Sequence, residues 1–274
     1  MNTFVSFDGI RIAYHDEGEG PAVILLHGFG VDGLGQFGDF ERILPILEKR
    51  QEMFREVFGG APPLPNPPLE GRPGVVRALQ AAGARTILPD MRGFGAFDKP
   101  REKTADANSA MARDVIALID HLRLDAVDLI GFSNGGKDWP VPDSVPRPIT
   151  RQVWAEEGAT ILEQGEIVPG HLASATLIAA RATGADPRVL AAVIRGAVAP
   201  TWPAEALRKV DIPIMILNDK ADVANQKIEG LLQEMPTARS AECNGDHHST
   251  PYQPTFHQTV VRFFEEQWRH RHAI

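Results

Sequence analysis

The run Ala22-Val23-Ile24-Leu25-Leu26 carries five apolar side chains in succession. A strand with one wet face would alternate apolar and polar residues, so an unbroken run is expected where a sheet is covered on both faces. Further short strands are expected at Arg85–Leu88, Val127–Ile130 and Ile212–Leu217, the last also buried, and near Arg239–Glu242. Helical patterns separate them. One spans residues 73–82, opening at Pro73 and closing at Gly83. A second covers Ala107–Leu122, with Met111, Val115, Leu118 and Leu122 on one face. Others lie near Ala224–Met235 and over Thr255–Arg269. Strand and helix in alternation imply a largely parallel sheet with helices on both faces. The start of the chain differs: Thr3–Phe7 and Arg11–His15 are short, alternating and separated by Asp8-Gly9, which predicts an antiparallel hairpin.

Two segments interrupt this alternation. Phe37–Arg72 joins a charged helical piece, Glu41–Phe58, to the proline run Ala61–Pro68. Proline blocks both helix and central strand, so an extended loop is expected there. Its place inside a domain favours a loop over a pocket rim rather than a ligand for a proline-binding module. Lys137–Gly170 opens with Pro140, Pro142, Pro146 and Pro148 and turns helical around Trp154–Gln164. The chain therefore reads as a core of residues 1–136 and 201–274, with an insertion at 37–72 and a cap or lid, irregular then helical, over 137–200.

Bulk properties narrow the function classes. With 28 basic and 36 acidic residues the net charge is −8, which opposes non-specific binding to nucleic acid or to anionic membranes. The single cysteine, Cys243, excludes an internal disulfide and a cysteine-rich zinc site; it is read as a small residue near a strand end. No His/Asp/Glu group has the spacing of a catalytic metal site, and no cofactor motif is present. No stretch has the length of a membrane span, and Met1-Asn2-Thr3-Phe4 does not open a secretory signal, so a cytoplasmic location is expected. The oligomeric state is left open.

The chemistry concentrates at Gly131-Phe132-Ser133-Asn134-Gly135, directly after the strand Val127–Ile130. A turn this tight strains the serine backbone, and glycine on both sides removes Cβ atoms that would clash. The hydroxyl is then held out above the sheet. His27-Gly28-Phe29-Gly30 follows an earlier strand, and Pro89-Asp90-Met91-Arg92-Gly93-Phe94-Gly95 follows the next. An acid and a histidine pair stand downstream, in Asn218-Asp219-Lys220-Ala221-Asp222 and Gly245-Asp246-His247-His248.

Taken in this order, these motifs resemble the α/β-hydrolase fold, within its group of esterases, haloperoxidase-like enzymes and lactonases. The resemblance covers most of the chain outside the two irregular segments. It implies that Ser133 is the nucleophile and that His247, rather than its neighbour His248, is the base. It implies Asp222 as the acid that orients the imidazole, with Asp219 the competing candidate. The oxyanion hole falls to the backbone N–H groups of Phe29 and Asn134. The Asp90–Gly95 turn is read as structural, with positive φ at its glycines and an ion pair or hydrogen bonds for Asp90 and Arg92.

The chain departs from the family after the elbow. A helix there normally supports the nucleophile, but Pro140 and Pro142 should break it. The strand expected next is hard to find, and Pro148–Trp154 is the best candidate. The leading functional reading is a serine hydrolase acting on a small carboxylic ester or lactone, without cofactor, metal, nucleic acid or membrane partner. Carbon–carbon bond hydrolysis or cofactor-free perhydrolysis on the same triad is an alternative. Another is a hydrolase-fold binding protein with weak or no turnover. Epoxide and haloalkane hydrolysis are disfavoured, because those relatives carry aspartate where Ser133 stands. Trp139, Trp154 and Trp202 would suit an apolar or aromatic substrate group if they line the pocket, although packing alone also accounts for them.

Overall fold

The computed structural model describes residues 1–58, 71–95, 98, 107–133, 141–142, 150–168, 171–183, 185–196, 201–219, 232–245 and 249–272. The chain opens with the expected hairpin. Strand β1 (Asn2–Val5) pairs antiparallel with β2 (Arg11–Glu17), and Gly9 takes the positive φ of 86° that the reversal requires. Strand β3 (Ala22–Leu26) has every residue from Ala22 to Leu25 buried. It lies between β4 (Arg85–Pro89) and β5 (Asp128–Gly131), parallel to both, while β4 also runs antiparallel to β2. The resulting sheet has the order β1-β2-β4-β3-β5.

Parallel neighbours need crossovers, and helices supply them. Helices α1 (Gly33–Phe37), α2 (Phe40–Phe58) and α3 (Val75–Ala81) connect β3 to β4, and α4 (Ala107–Leu122) leads from β4 to β5. Alternation along β3 then explains the unbroken apolar run. Val23 and Leu25 pack with Leu88, Ile130, Val75 and Leu79 on one face. Ile24 packs with Phe4, Ile12, Ile87 and Leu118 of α4 on the other. Each such side chain contributes about 1.5–3 kcal/mol on burial, so both layers hold the sheet.

Strands β6 (Val141–Pro142) and β7 (Thr201–Trp202) form a short parallel pair. Between them in sequence come α5 (Thr150–Gln164), α6 (Leu172–Thr183) and α7 (Pro187–Gly196). Their apolar residues, including Leu162, Leu177, Leu190 and Ile194, share a core with Met91, Phe94 and Met111. Phe29 and Leu26 pack against the same core, so these helices roof the carboxyl end of β3. Arg195 fastens α7 to α5 through Glu156, at 2.9 Å, and Glu163.

After α8 (Ala204–Arg208), β8 (Ile214–Asp219) and β9 (Ala238–Cys243) form a separate parallel pair. The terminal helix α9 (Pro254–His272) covers the five-stranded sheet and the β8–β9 pair: Phe256, Val260, Phe263 and Trp268 share one core with Ile130 of β5, Cys243 of β9 and Met215 and Leu217 of β8. Trp268 Nε1 and Arg271 also donate to the Asp128 carboxylate at the start of β5, at 2.7 and 2.6 Å. Among the described residues no strand pairs with the free edge of β5, where Leu129 is 51% exposed, and β8 pairs with β9 alone.

Several expectations are corrected. In the candidate strand Pro148–Trp154 the described residues, 150–154, are helical, because they open α5; the helix-forming residues from Ala155 onward and contacts with α7 override the β tendency of Val153 and Trp154. The strand expected at Ile212–Leu217 runs from Ile214 to Asp219, and it is not buried on both faces. Among its described side chains only Ile216 is buried, and Ile212, just before it, is 62% exposed. Pro73 precedes α3 rather than opening it, and Gly74 is the N-cap. The helix expected near Ala224–Met235 and the proline run Ala61–Pro68 lie largely or wholly outside the described residues.

Candidate active site

The two glycine-containing loops converge because their strands are neighbours. In the β3–β5 register Leu26 lies opposite Gly131, and Phe132 N–H extends the pairing by donating to Leu26 O at 3.0 Å. The residues that follow each strand therefore leave the sheet side by side. A Cβ built on Gly28 would stand 3.3 Å from Ser133 Cβ and 2.8 Å from Gln36 Oε1, so a side chain there would crowd the approach of the two loops. Ser133 itself has φ of 51°. That left-handed conformation costs a residue with a side chain about 1–3 kcal/mol and must be held by its surroundings. Arg123 is the other non-glycine residue of positive φ among those described.

His27 ties the loop down. It is fully buried; Met91 N–H donates to its Nε2 at 2.9 Å, and its Nδ1 lies 2.7 Å from Gly28 O. Since Nε2 accepts, Nδ1 carries the proton and donates to the carbonyl, which makes the ring neutral. Burial accordingly pushes its pKa down. The ring also meets Phe94 edge-on, as Phe29 does. Asp32 caps α1 by accepting from Gly35 N–H at 2.6 Å, and Asp90 accepts from Gly33 N–H at 3.3 Å. The Phe29 N–H donates to no described residue.

The turn after β4 contains the glycines of positive φ expected there, Gly93 at 86° and Gly95 at 64°. Its charged residues make the expected ion pair and hydrogen bonds, each with partners from other elements. Arg92 pairs with Asp114 of α4 and with Asp8, while Asp90 lies under α1 and against Gly95, which has no room for a Cβ beside that carboxylate.

Two histidines, His27 fully buried and His257 half-buried, are expected to make stability depend on pH. His257 of α9 is also pushed down by burial, and its Nε2 bonds Pro251 O at 2.7 Å. In the unfolded chain both rings titrate near about 6.5. Their stabilisation is complete above that pH and is lost as pH falls towards the lower folded values, because the unfolded state then binds more protons. The urea midpoint is expected to fall between pH 7.5 and 5.5, above the range in which Asp8 and Asp39, both held below the usual carboxylate range, begin to contribute. A flat midpoint over that interval would show that the fold does not hold these rings neutral.

The structure places Ser133 beside Gly28, the residue before Phe29. Asn134, Asp222 and His247 lie outside the described residues, and Asp219 is the last residue of β8. Gln36 was missed by the sequence reading. It is buried beside Gly28, on a five-residue helix too short to show a period. Its signal was a lone amide in a run of Gly, Leu and Phe. Among the described residues no three His, Cys, Asp or Glu side chains are grouped to hold a metal, and no helix is long and apolar enough to cross a membrane.

The order β1-β2-β4-β3-β5, an antiparallel start and helices on both faces are those of the α/β-hydrolase fold. Residues 68–137 match the family model described as alpha/beta hydrolase fold. The chain is 28% identical over 134 residues to epoxide hydrolase 2 of Siraitia grosvenorii, covering 49% of this chain and 31% of that protein. It is also 28% identical over 128 residues to the 2-hydroxy-6-oxo-2,4-heptadienoate hydrolase of Pseudomonas putida, covering 47% of this chain and 34% of that one. The matched stretch thus spans about a third of the length of these relatives. Over nearly the whole chain the structure is similar to an esterase from Exiguobacterium antarcticum, with a TM-score of 0.61, 18% identity and coverage of 96% and 98% of the two chains.

Proposed function

We propose that the protein is a serine hydrolase that cleaves a carboxylic ester or lactone of modest size through an acyl-enzyme on Ser133. The observation that carries this reading is the left-handed backbone of Ser133, held against Gly28 at the carboxyl ends of two adjacent parallel strands. Strain of this kind at a side-chain-bearing residue marks a position fixed for function. In the proposed reaction Ser133 Oγ attacks the carbonyl carbon while His247 takes its proton and Asp222 holds the imidazole. The N–H groups of Phe29 and Asn134 receive the negative oxygen. His247 returns the proton to the departing alcohol, and water attacks the acyl-enzyme by the reverse route to release the acid. The apolar wall of Phe29, Phe94, Met91 and Met111, under the helices of the 137–200 cap, favours an apolar acyl or alcohol group.

A second reading, carbon–carbon bond hydrolysis on the same triad, draws support from the similarity to the Pseudomonas putida hydrolase. Epoxide opening is a poorer fit despite the similarity to epoxide hydrolase 2, because a serine hydroxyl cannot form the ester intermediate that a carboxylate nucleophile forms. A fluorophosphonate probe tests the reading. Native protein is expected to be modified rapidly and stoichiometrically at Ser133, located by peptide mass spectrometry. Folded protein that resists the probe would mark a hydrolase-fold binding protein instead.

A further inference from the structure

Gln36 is a polar side chain with 7% of its surface exposed, in the last turn of α1. Burying an amide costs about 1–3 kcal/mol unless it is hydrogen-bonded. Its Oε1 accepts from Gly28 N–H at 3.3 Å. The same oxygen lies 2.8 Å from the point where a Gly28 Cβ would stand, and Ser133 Cβ lies 3.3 Å from that point. The amide oxygen and the nucleophile's Cβ are therefore no more than about 6 Å apart, across one glycine.

Helix α1 is itself anchored on two sides. Asp32 and Asp90 hold its first turn, and Tyr252 Oη donates to Gly35 O at 3.1 Å from the other side. Tyr252 is fully buried, meets Phe40 edge-on and stands five residues after His247. One short helix thus touches the loop after β3 through Gln36 and the segment following the proposed base through Tyr252.

We propose that Gln36 is a positioning residue for the oxyanion-binding loop, an inference that rests on the serine-hydrolase reading above. By engaging Gly28 N–H it fixes the peptide plane between His27 and Gly28. His27 grips the Gly28 carbonyl from the other side. With both neighbours of the turn held, the next N–H, that of Phe29, is the one left to face the carbonyl oxygen of a substrate on Ser133. The transition state gains from that orientation more than the bound substrate does, because its oxygen carries the greater charge.

The test compares wild type with Gln36→Met, which keeps volume and removes the acceptor, and Gln36→Asn, which keeps an amide too short to reach Gly28. Active sites are counted by exhaustive fluorophosphonate labelling, and hydrolysis of p-nitrophenyl butyrate is expressed per labelled site. Both variants are expected to lose on the order of 10- to 100-fold in kcat per site with KM within about twofold. Gln36→Asn keeps the measurement available if Gln36→Met folds poorly. Unchanged kcat per site, with only the labelled fraction reduced, would assign Gln36 to folding and overturn the inference alone. Wild-type protein that neither hydrolyses the ester nor labels would overturn the serine-hydrolase reading, and the inference with it.

Discussion

Ser133→Ala is expected to lower hydrolysis of short-chain p-nitrophenyl esters at least about a thousandfold, a loss of roughly 4 kcal/mol of transition-state stabilisation. The fold should be untouched, since the exposed hydroxyl contributes little to packing. The backbone of Ser133 adds a second expectation. At φ of 51° alanine is as strained as serine, so Ser133→Ala should retain the wild-type urea midpoint. Glycine adopts that conformation without strain, so Ser133→Gly should be inactive yet more stable by about 1 kcal/mol. Activity lost together with stability gained would identify a position whose strain is kept for function. Ester turnover by Ser133→Ala equal to that of wild type would place the chemistry elsewhere.

The parts of this arrangement that local pattern determines were legible before the structure. The unbroken apolar run of β3 and the four-residue spacing of α4 each encode their element alone, and the bounds Ala22–Leu26 and Ala107–Leu122 emerge as expected. The approach of Gly28 to Ser133 was legible because loops after adjacent parallel strands leave the sheet at the same edge. Burial of β8 was not legible. A run such as Ile212–Leu217 looks the same whether one strand neighbours it or two, and among the described residues the neighbour is β9 alone. Pro148–Trp154 failed for a related reason: a β-branched and an aromatic residue opened a segment whose fate was decided by its packing against α7.

Long-range polar pairing was the least legible level. Arg92 stands two residues from Asp90, yet its guanidinium reaches Asp114 on α4 and Asp8 in the first hairpin. Gln36 was invisible for the complementary reason, since its importance lies in what Gly28 lacks. No pattern in residues 33–37 announces that an amide will replace a missing partner for a loop N–H eight residues earlier.

The Arg92 network should also have the largest effect on stability. Both Arg92 side-chain nitrogens facing Asp114 donate to it, at 2.7 and 2.6 Å, and a third bond of 2.9 Å reaches Asp8. Burial disfavours the charge, but the bonds to Asp114 and Asp8 more than offset this and raise the pKa. Ser6 Oγ donates to the same Asp114 carboxylate, so removing it orphans a buried hydroxyl and leaves the buried guanidinium with Asp8 as its one carboxylate. Asp114→Ala is therefore expected to cost about 3 kcal/mol in urea unfolding, the scale of breaking a buried ion pair from one side. Asp8, partly exposed, limits the loss. The double change Arg92→Met with Asp114→Leu should recover much of it, because no charge is then left unpaired in the interior. Asp98→Ala, which breaks the exposed pair with Arg11, is the control and should leave the midpoint where it was. Since Met91, next to Arg92, holds His27 through its backbone N–H, loosening the turn should also lower activity per labelled site. A midpoint for Asp114→Ala equal to that of the control would show that the first hairpin, α4 and the β4 turn are held together by their apolar contacts alone.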